Sequence, residues 1–171
     1  MPLPPPEKIF VQLLSGLRNG TVFSTTIYQE ISQVAEEQNI RDALEARAFI
    51  SDKTLETLDQ CFNLIGEKPV KVNSRFHEIF VEDFRRELAE IENPAMRHLF
   101  ILARAIQLTN LRIAEYVVLL AAADASGHQG VGVLLESCLA DNLAFVERTR
   151  RTIRHLVEAK ELREVIERIA A

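Results

Sequence analysis

Cysteine is scarce: Cys61 and Cys138 are the only two in 171 residues, and no metal-like spacing links them. A small secreted scaffold would use more. Both fall on apolar faces of expected helices, where a free thiol packs as a small hydrophobe. No basic stripe marks a nucleic-acid surface. The net charge is −5, with Lys and Arg spread among Asp and Glu. The N-terminus, Met-Pro-Leu-Pro-Pro-Pro, has neither the basic nor the apolar region of a secretory signal. The longest apolar stretch, Tyr116 to Ala123, is too short to cross a bilayer. These absences lead to the expectation of a cytoplasmic chain with no nucleic-acid or membrane partner. At 47% hydrophobic and 26% charged, the sequence is long enough to bury a core as one domain, residues 1–171.

Catalytic signatures are missing as well. No glycine-rich phosphate loop, Gly-x-Ser-x-Gly elbow or Cys-x-x-Cys pair occurs. A di-iron carboxylate bundle needs Glu from two helices and Glu-x-x-His from two others. None of His77, His98, His128 and His155 has Glu three residues before it. The Glu-x-x-Glu pairs Glu87/Glu90 and Glu164/Glu167 lie in a short helix and the tail, and read as solvated charge. No cofactor and no metal ligand set is expected.

What remains is helical periodicity. Residues 1–6 form a proline-rich arm, and Glu7 opens the first helix, with apolar positions at Phe10, Leu13, Leu14, Leu17, Ile27, Ile31 and Val34. Asn19 to Thr26 is poor helix material, yet the face resumes in phase beyond it. The second helix, about 40–65, has a bundle seam at Leu44, Ala48, Ser51, Leu55, Leu58, Phe62 and Ile65. Gly66 is a natural stop. After a connection, Ser74 caps a short helix bearing Phe76, Phe80, Phe84 and Leu88. This stripe is expected to lie across the outside of the bundle and, with the long-helix faces beside it as the alternative, to offer the surface for a homodimer.

Asn93-Pro94 starts the third long helix, with an expected seam at Met96, Leu99, Ala103, Ile106, Asn110, Ile113, Val117 and Leu120. Ser126-Gly127 ends it. The fourth carries Val131, Leu134, Leu135, Cys138, Asn142, Phe145, Ile153 and Leu156, and residues 161–171 form a helical tail. No strand pattern competes. Four long helices with one longer link imply an all-α, ferritin-like antiparallel four-helix bundle with a short crossover helix.

A polar layer interrupts these seams. Ser51, Asn110 and Asn142 sit near mid-helix, with Asp52, Thr109, Arg112 and Asp141 beside them and Thr21, Ser24 and Thr25 at a similar height on the first helix. Polar groups inside a bundle are costly unless they bond one another. The layer is therefore an internal network, the relic of a site, or a set of side chains facing solvent at the seam edge.

The segments Phe10-Val11-Gln12-Leu13-Leu14 and Ile113-Ala114-Glu115-Tyr116, with Gly127 followed by Leu134-Leu135, resemble the YciE/YciF-like bacterial proteins from about residue 7 to 156. The resemblance implies a ferritin-like fold, dimerisation, an association with stress and no settled activity. It also implies a dinuclear metal site of carboxylates and histidines, from which this chain departs. Where the family has Glu on the first helix, Thr21 stands here. Phe49 and Asp52 replace Glu-x-x-His on the second, and Thr109 and Arg112 the paired carboxylates of the third. Ser137, Ala140, Asp141 and Asn142 replace the acidic cluster of the fourth. The expected role is thus a structural or interaction module, with a small-ligand pocket or a remnant redox site as alternatives. Arg112, placed where a carboxylate would face metal, is expected to draw in Asp52 and Asp141 or to extend to water.

Overall fold

The computed structural model describes residues 6–72 and 75–158. The proline arm before Pro6, the proposed cap Ser74 and the tail 161–171 lie outside the described residues. Five helices form: α1 (Pro6–Val34), α2 (Gln38–Ile65), α3 (Phe76–Glu90), α4 (Pro94–Ala125) and α5 (Gln129–Glu158). No strand occurs among the described residues.

Local sequence sets the helix boundaries. Gly66 takes a left-handed φ of 70° at the end of α2, a conformation that glycine adopts freely. Its N–H donates to the Asn63 carbonyl, and that of Glu67 to Phe62. At the start of α4, the Asn93 side chain accepts from the Met96 N–H, and Pro94 occupies a first-turn position that needs no donor. The weak stretch of α1 stays helical across Asn19–Thr26. Thr21, Ser24 and Thr25 are buried, and each hydroxyl donates to the carbonyl four residues earlier. Their side-chain donors are thereby satisfied within the helix itself.

The four long helices form a square in which α1 lies between α2 and α4, and α5 closes the other side. Residues near the start of α1 share an apolar cluster with the ends of α2 and α4 and the start of α5: Phe10, Leu14, Leu58, Phe62, Leu119 and Leu135. The opposite end of the bundle gathers Ile27, Ile31, Ile40, Leu44, Ile101 and Phe145. Adjacent long helices are therefore antiparallel, and α2 and α4 run parallel on the diagonal. The segment 66–93 returns the chain to the other end. This is the ferritin-like arrangement with one crossover.

Two expectations about packing are corrected. The crossover helix α3 does not display its aromatic stripe. Phe80, Phe84 and Leu88 are buried against α1 and α4, with Phe84 stacked on Phe100 at 5.7 Å. Only Phe76 and Ile79 of this helix remain as exposed large apolar residues. The second correction is the phase of α4. Its buried face is Ile101, Leu102, Ala105, Leu108, Thr109, Arg112, Tyr116, Leu119 and Ala123, whereas Ala103, Asn110 and Val117 of the expected seam face outward. An 18-residue window of α4 has a mean hydropathy of 1.3, apolar enough by length and composition to cross a membrane. A helix apolar on several faces fits more than one seam. The face that packs inward carries an arginine and a tyrosine, which apolar spacing passes over.

Candidate functional site

The two apolar clusters do not merge. Between them lies a polar belt built from Gly20, Thr21 and Ser24 of α1, Arg47, Ser51 and Thr54 of α2, Thr109 and Arg112 of α4, and Asn142 of α5, all buried. Of the expected site residues, Thr21, Ser51, Thr109, Arg112 and Asn142 are in this belt, while Asp52, Asn110 and Asp141 are exposed. One residue along a helix turns the side chain by about 100°. Burial of Ser51 and Asn142 therefore turns their neighbours Asp52 and Asp141 outward, and the phase of α4 does the same to Asn110.

Arg112 is 3% exposed, so its head does not extend to water. The expected bridge to Asp52 and Asp141 is also wrong, because both carboxylates are at the surface. The Arg112 Nη1 instead pairs with Glu115 Oε2 on the next turn of α4, at 2.9 Å. Its guanidinium points its Nη1 end at α1 beside Gly20, where an added Cβ would stand 1.5 Å from Nη1 and 2.5 Å from Cζ. The missing side chain is what admits the cation. Burial pulls the Arg112 pKa down, and the neighbouring Glu115 charge opposes that pull. It remains protonated at neutral pH, as arginine does in proteins. Burial pushes the Glu115 carboxyl above its ordinary range, with Arg112 acting in the opposite sense.

A second buried guanidinium was not anticipated from the sequence. Arg47, also 3% exposed, sits between the rings of Tyr28 and Phe145, 5.4 and 5.3 Å from their centroids. Its Nη2 donates to Asn142 Oδ1 at 2.5 Å, and the Asn142 amide donates onward to the Cys138 carbonyl at 2.7 Å. No carboxylate among the described residues pairs with it. The aromatic faces supply cation–π attraction, worth about 2 kcal/mol for a desolvated cation. The signal was present in the spacing, since position 47 falls between Leu44 and Ser51 on the inward face. It was passed over because arginine is rarely buried.

Tyrosines complete the belt. The Thr109 hydroxyl donates to the Ala105 carbonyl, so the 2.6 Å contact with Tyr28 is a bond donated by the tyrosine. Burial raises the pKa of Tyr116, and that of Cys138 next to it. The Cys61 thiol is pushed up to about 12, first by burial and then by Cys138. Both thiols are free and buried, inert in the form that burial favours.

This donor set does not fit a divalent cation. Among the described residues no group of three or more His, Cys, Asp or Glu is placed to hold one. The belt holds two guanidinium groups, and the one carboxylate paired with either of them among the described residues is the half-buried Glu115, on Arg112.

The fold and its centre define a ferritin-like helical bundle with guanidinium groups between its two apolar clusters. The chain belongs to the family described as a domain of unknown function, DUF892, which it matches over residues 6–166. Its fold is that of the Escherichia coli stress protein YciF, at a TM-score of 0.86 and 20% identity over 92% of this chain and 100% of that one. YcfI of Rhodopseudomonas palustris, a protein of suggested structural role, is similar at a TM-score of 0.81 and 22% identity, over 86% and 94% of the two chains. A Xanthomonas campestris protein matches at 0.71 and 15%, over 93% and 97%. No curated protein matches the sequence.

Proposed function

We propose that this protein is a non-catalytic member of its family, a cytoplasmic structural or interaction module in which the dinuclear site has been lost and arginine charge occupies the bundle centre. The observation that carries this reading is the burial of Arg47 and Arg112 in the belt between the apolar clusters. A metal-dependent reaction in a bundle needs carboxylates or imidazoles at that height, and guanidinium groups repel the ion those ligands would hold. The names given to YciF, a stress protein, and to YcfI, a protein of suggested structural role, support a stress-related or structural role. The test is aerobic addition of iron(II) to the full chain. Oxidation at the rate of buffer alone is expected, and a saturable acceleration would overturn the reading.

The same reading includes a homodimer. Its support is apolar surface left outside the core, with Val117 and Val118 of α4 both more than half exposed. Beside Val118 an open apolar groove of about 390 Å³ runs between α1 and α4, with Leu13 and Leu17 on its other wall. Burial of such surface against a second copy is worth roughly 25 cal/mol per Å². Light scattering at micromolar concentration should return twice the chain mass, and a clean monomer would contradict it.

A further inference from the structure

The connection that follows α2 lies back on the start of α1, where the Val70 N–H donates to Ser15 Oγ at 3.0 Å. Between the two runs an open groove of about 470 Å³, with Lys8, Val11 and Gln12 on one side and Glu67, Val70 and Lys71 on the other. Val11 is nearly buried and Val70 is 45% exposed; they are the apolar part of the lining. The rim carries donors, since the side chains of Lys8, Gln12 and Lys71 make no hydrogen bond or ion pair among the described residues. Residues 1–5, Met-Pro-Leu-Pro-Pro, lead into α1 at Pro6. Proline has no N–H, so of residues 2–5 only Leu3 has a backbone donor while all four have a carbonyl. A residue that precedes proline is disfavoured in the helical region, so the chain leaves the α1 axis at Pro6. At about 3.1 Å per residue for an extended proline-rich chain, Leu3 reaches about 9 Å from Pro6. At about 1.5 Å per residue of helix, Val11 is about 7.5 Å along α1 from the same point.

We propose that residues 1–5 fold back along α1 and seat Leu3 in this groove, against Val11 and Val70, with the arm's carbonyls accepting from Lys8, Gln12 and Lys71. The hydrogen-bonding needs match: the arm brings acceptors almost without donors, and the rim brings unengaged donors. The size of the groove points to a tethered occupant. Two valines are far less apolar surface than the ~800 Å² per partner that a stable association of free molecules buries. A segment joined to α1 needs less, because a short link holds it near the groove at an effective concentration of the order of millimolar. Its prolines have φ set in advance, which lowers the ordering cost of docking. This inference does not depend on the non-catalytic reading, since the arm would dock whether or not the bundle had an activity.

The test is disulfide trapping in the full chain. Leu3→Cys is combined with Val70→Cys in one variant and with Gln129→Cys in another. Gln129 is exposed and follows His128, whose ring stacks on Phe10 at 5.2 Å, so it is near the start of α1 on another side of the helix. Both variants are oxidised with diamide in dilute solution, with the wild type as the control for the buried thiols Cys61 and Cys138. The Leu3/Val70 pair should close within one chain, seen by mass as the loss of two hydrogens, about tenfold or more faster than the Leu3/Gln129 pair. A second measurement leaves Val70 in place: the Val70 methyl signals in NMR should move in Leu3→Asp, a change outside every helix, while those of Ile9 stay. Equal closure rates for the two pairs, disulfides between chains in place of closure within one, or Val70 methyls unmoved by Leu3→Asp would overturn the proposal.

Discussion

At position 20 two physical effects of opposite sign compete. Gly→Ala inside a helix ordinarily adds about 0.8–1.0 kcal/mol of stability through propensity alone. Here the new methyl would occupy the space of the Arg112 guanidinium, which is buried and tied to Glu115. Overpacking of this kind costs typically 1–3 kcal/mol, and displacing the head also strains a buried ion pair. Gly20→Ala should therefore destabilise the protein by at least about 1 kcal/mol in denaturant unfolding. In an Arg112→Met background the same change should become neutral or stabilising, and additive effects would refute the contact. Glu115 gives a pH signature. Its pKa is raised in the folded state, so its contribution is complete below the ordinary carboxylate value of 4.5 and is lost as pH rises through the raised one. Relative to Glu115→Gln, the wild type should lose stability across that interval and then level off. A difference that grows with pH there would show the ion pair outweighing burial. Much of this was legible in the sequence: Arg112 was recognisable as a misplaced cation, and Thr21 and Asn142 as polar seam residues. Its partner was not, because Glu115 lies on the same helix and only the phase of α4 shows which acid is at hand.

Among the elements, α3 and α4 account for what the sequence left open. A narrow i, i+4 aromatic stripe is compatible with a helix lying on a surface or closing a core. In the structure Phe80 and Phe84 join the cluster that holds Ile27, Ile101 and Phe145. Phe84→Ala should thus cost about 3–5 kcal/mol, as deletion of a buried aromatic does. Phe76→Ala, at 45% exposure, should change stability by less than about 1 kcal/mol. Equal losses at the two positions, measured by urea unfolding, would mean that the stripe is not divided between core and surface. In α2 and α5 periodicity found most of the buried face, since their outward positions are mostly polar or charged, with Phe49, Leu64, Val133 and Leu143 as exposed exceptions. In α4 it failed for the opposite reason, with Val117 and Val118 exposed on one side and Ile101 and Leu108 buried on another. Helix ends were readable where one residue has a single physical role, as with Gly66 and Asn93.

Over the whole molecule, four long helices form the bundle and two guanidinium groups lie in its centre. Two apolar clusters at opposite ends hold the helices together, so the belt between them does not have to bind metal for the fold to stand. Other elements accommodate the two guanidinium groups, Gly20 on α1 beside Arg112 and the rings of Tyr28 and Phe145 around Arg47. The order of helices and the single crossover were legible because they depend on helix number and link length. The second arginine was not, because its burial depends on aromatic partners from α1 and α5 that spacing along α2 does not show. The most direct measurement of the central claim is the metal content of the full chain, purified without chelators from cells grown with added iron and manganese. The account predicts far less than one ion per chain, with no binding isotherm for manganese(II) in calorimetry. One or two tightly held ions per chain would contradict it.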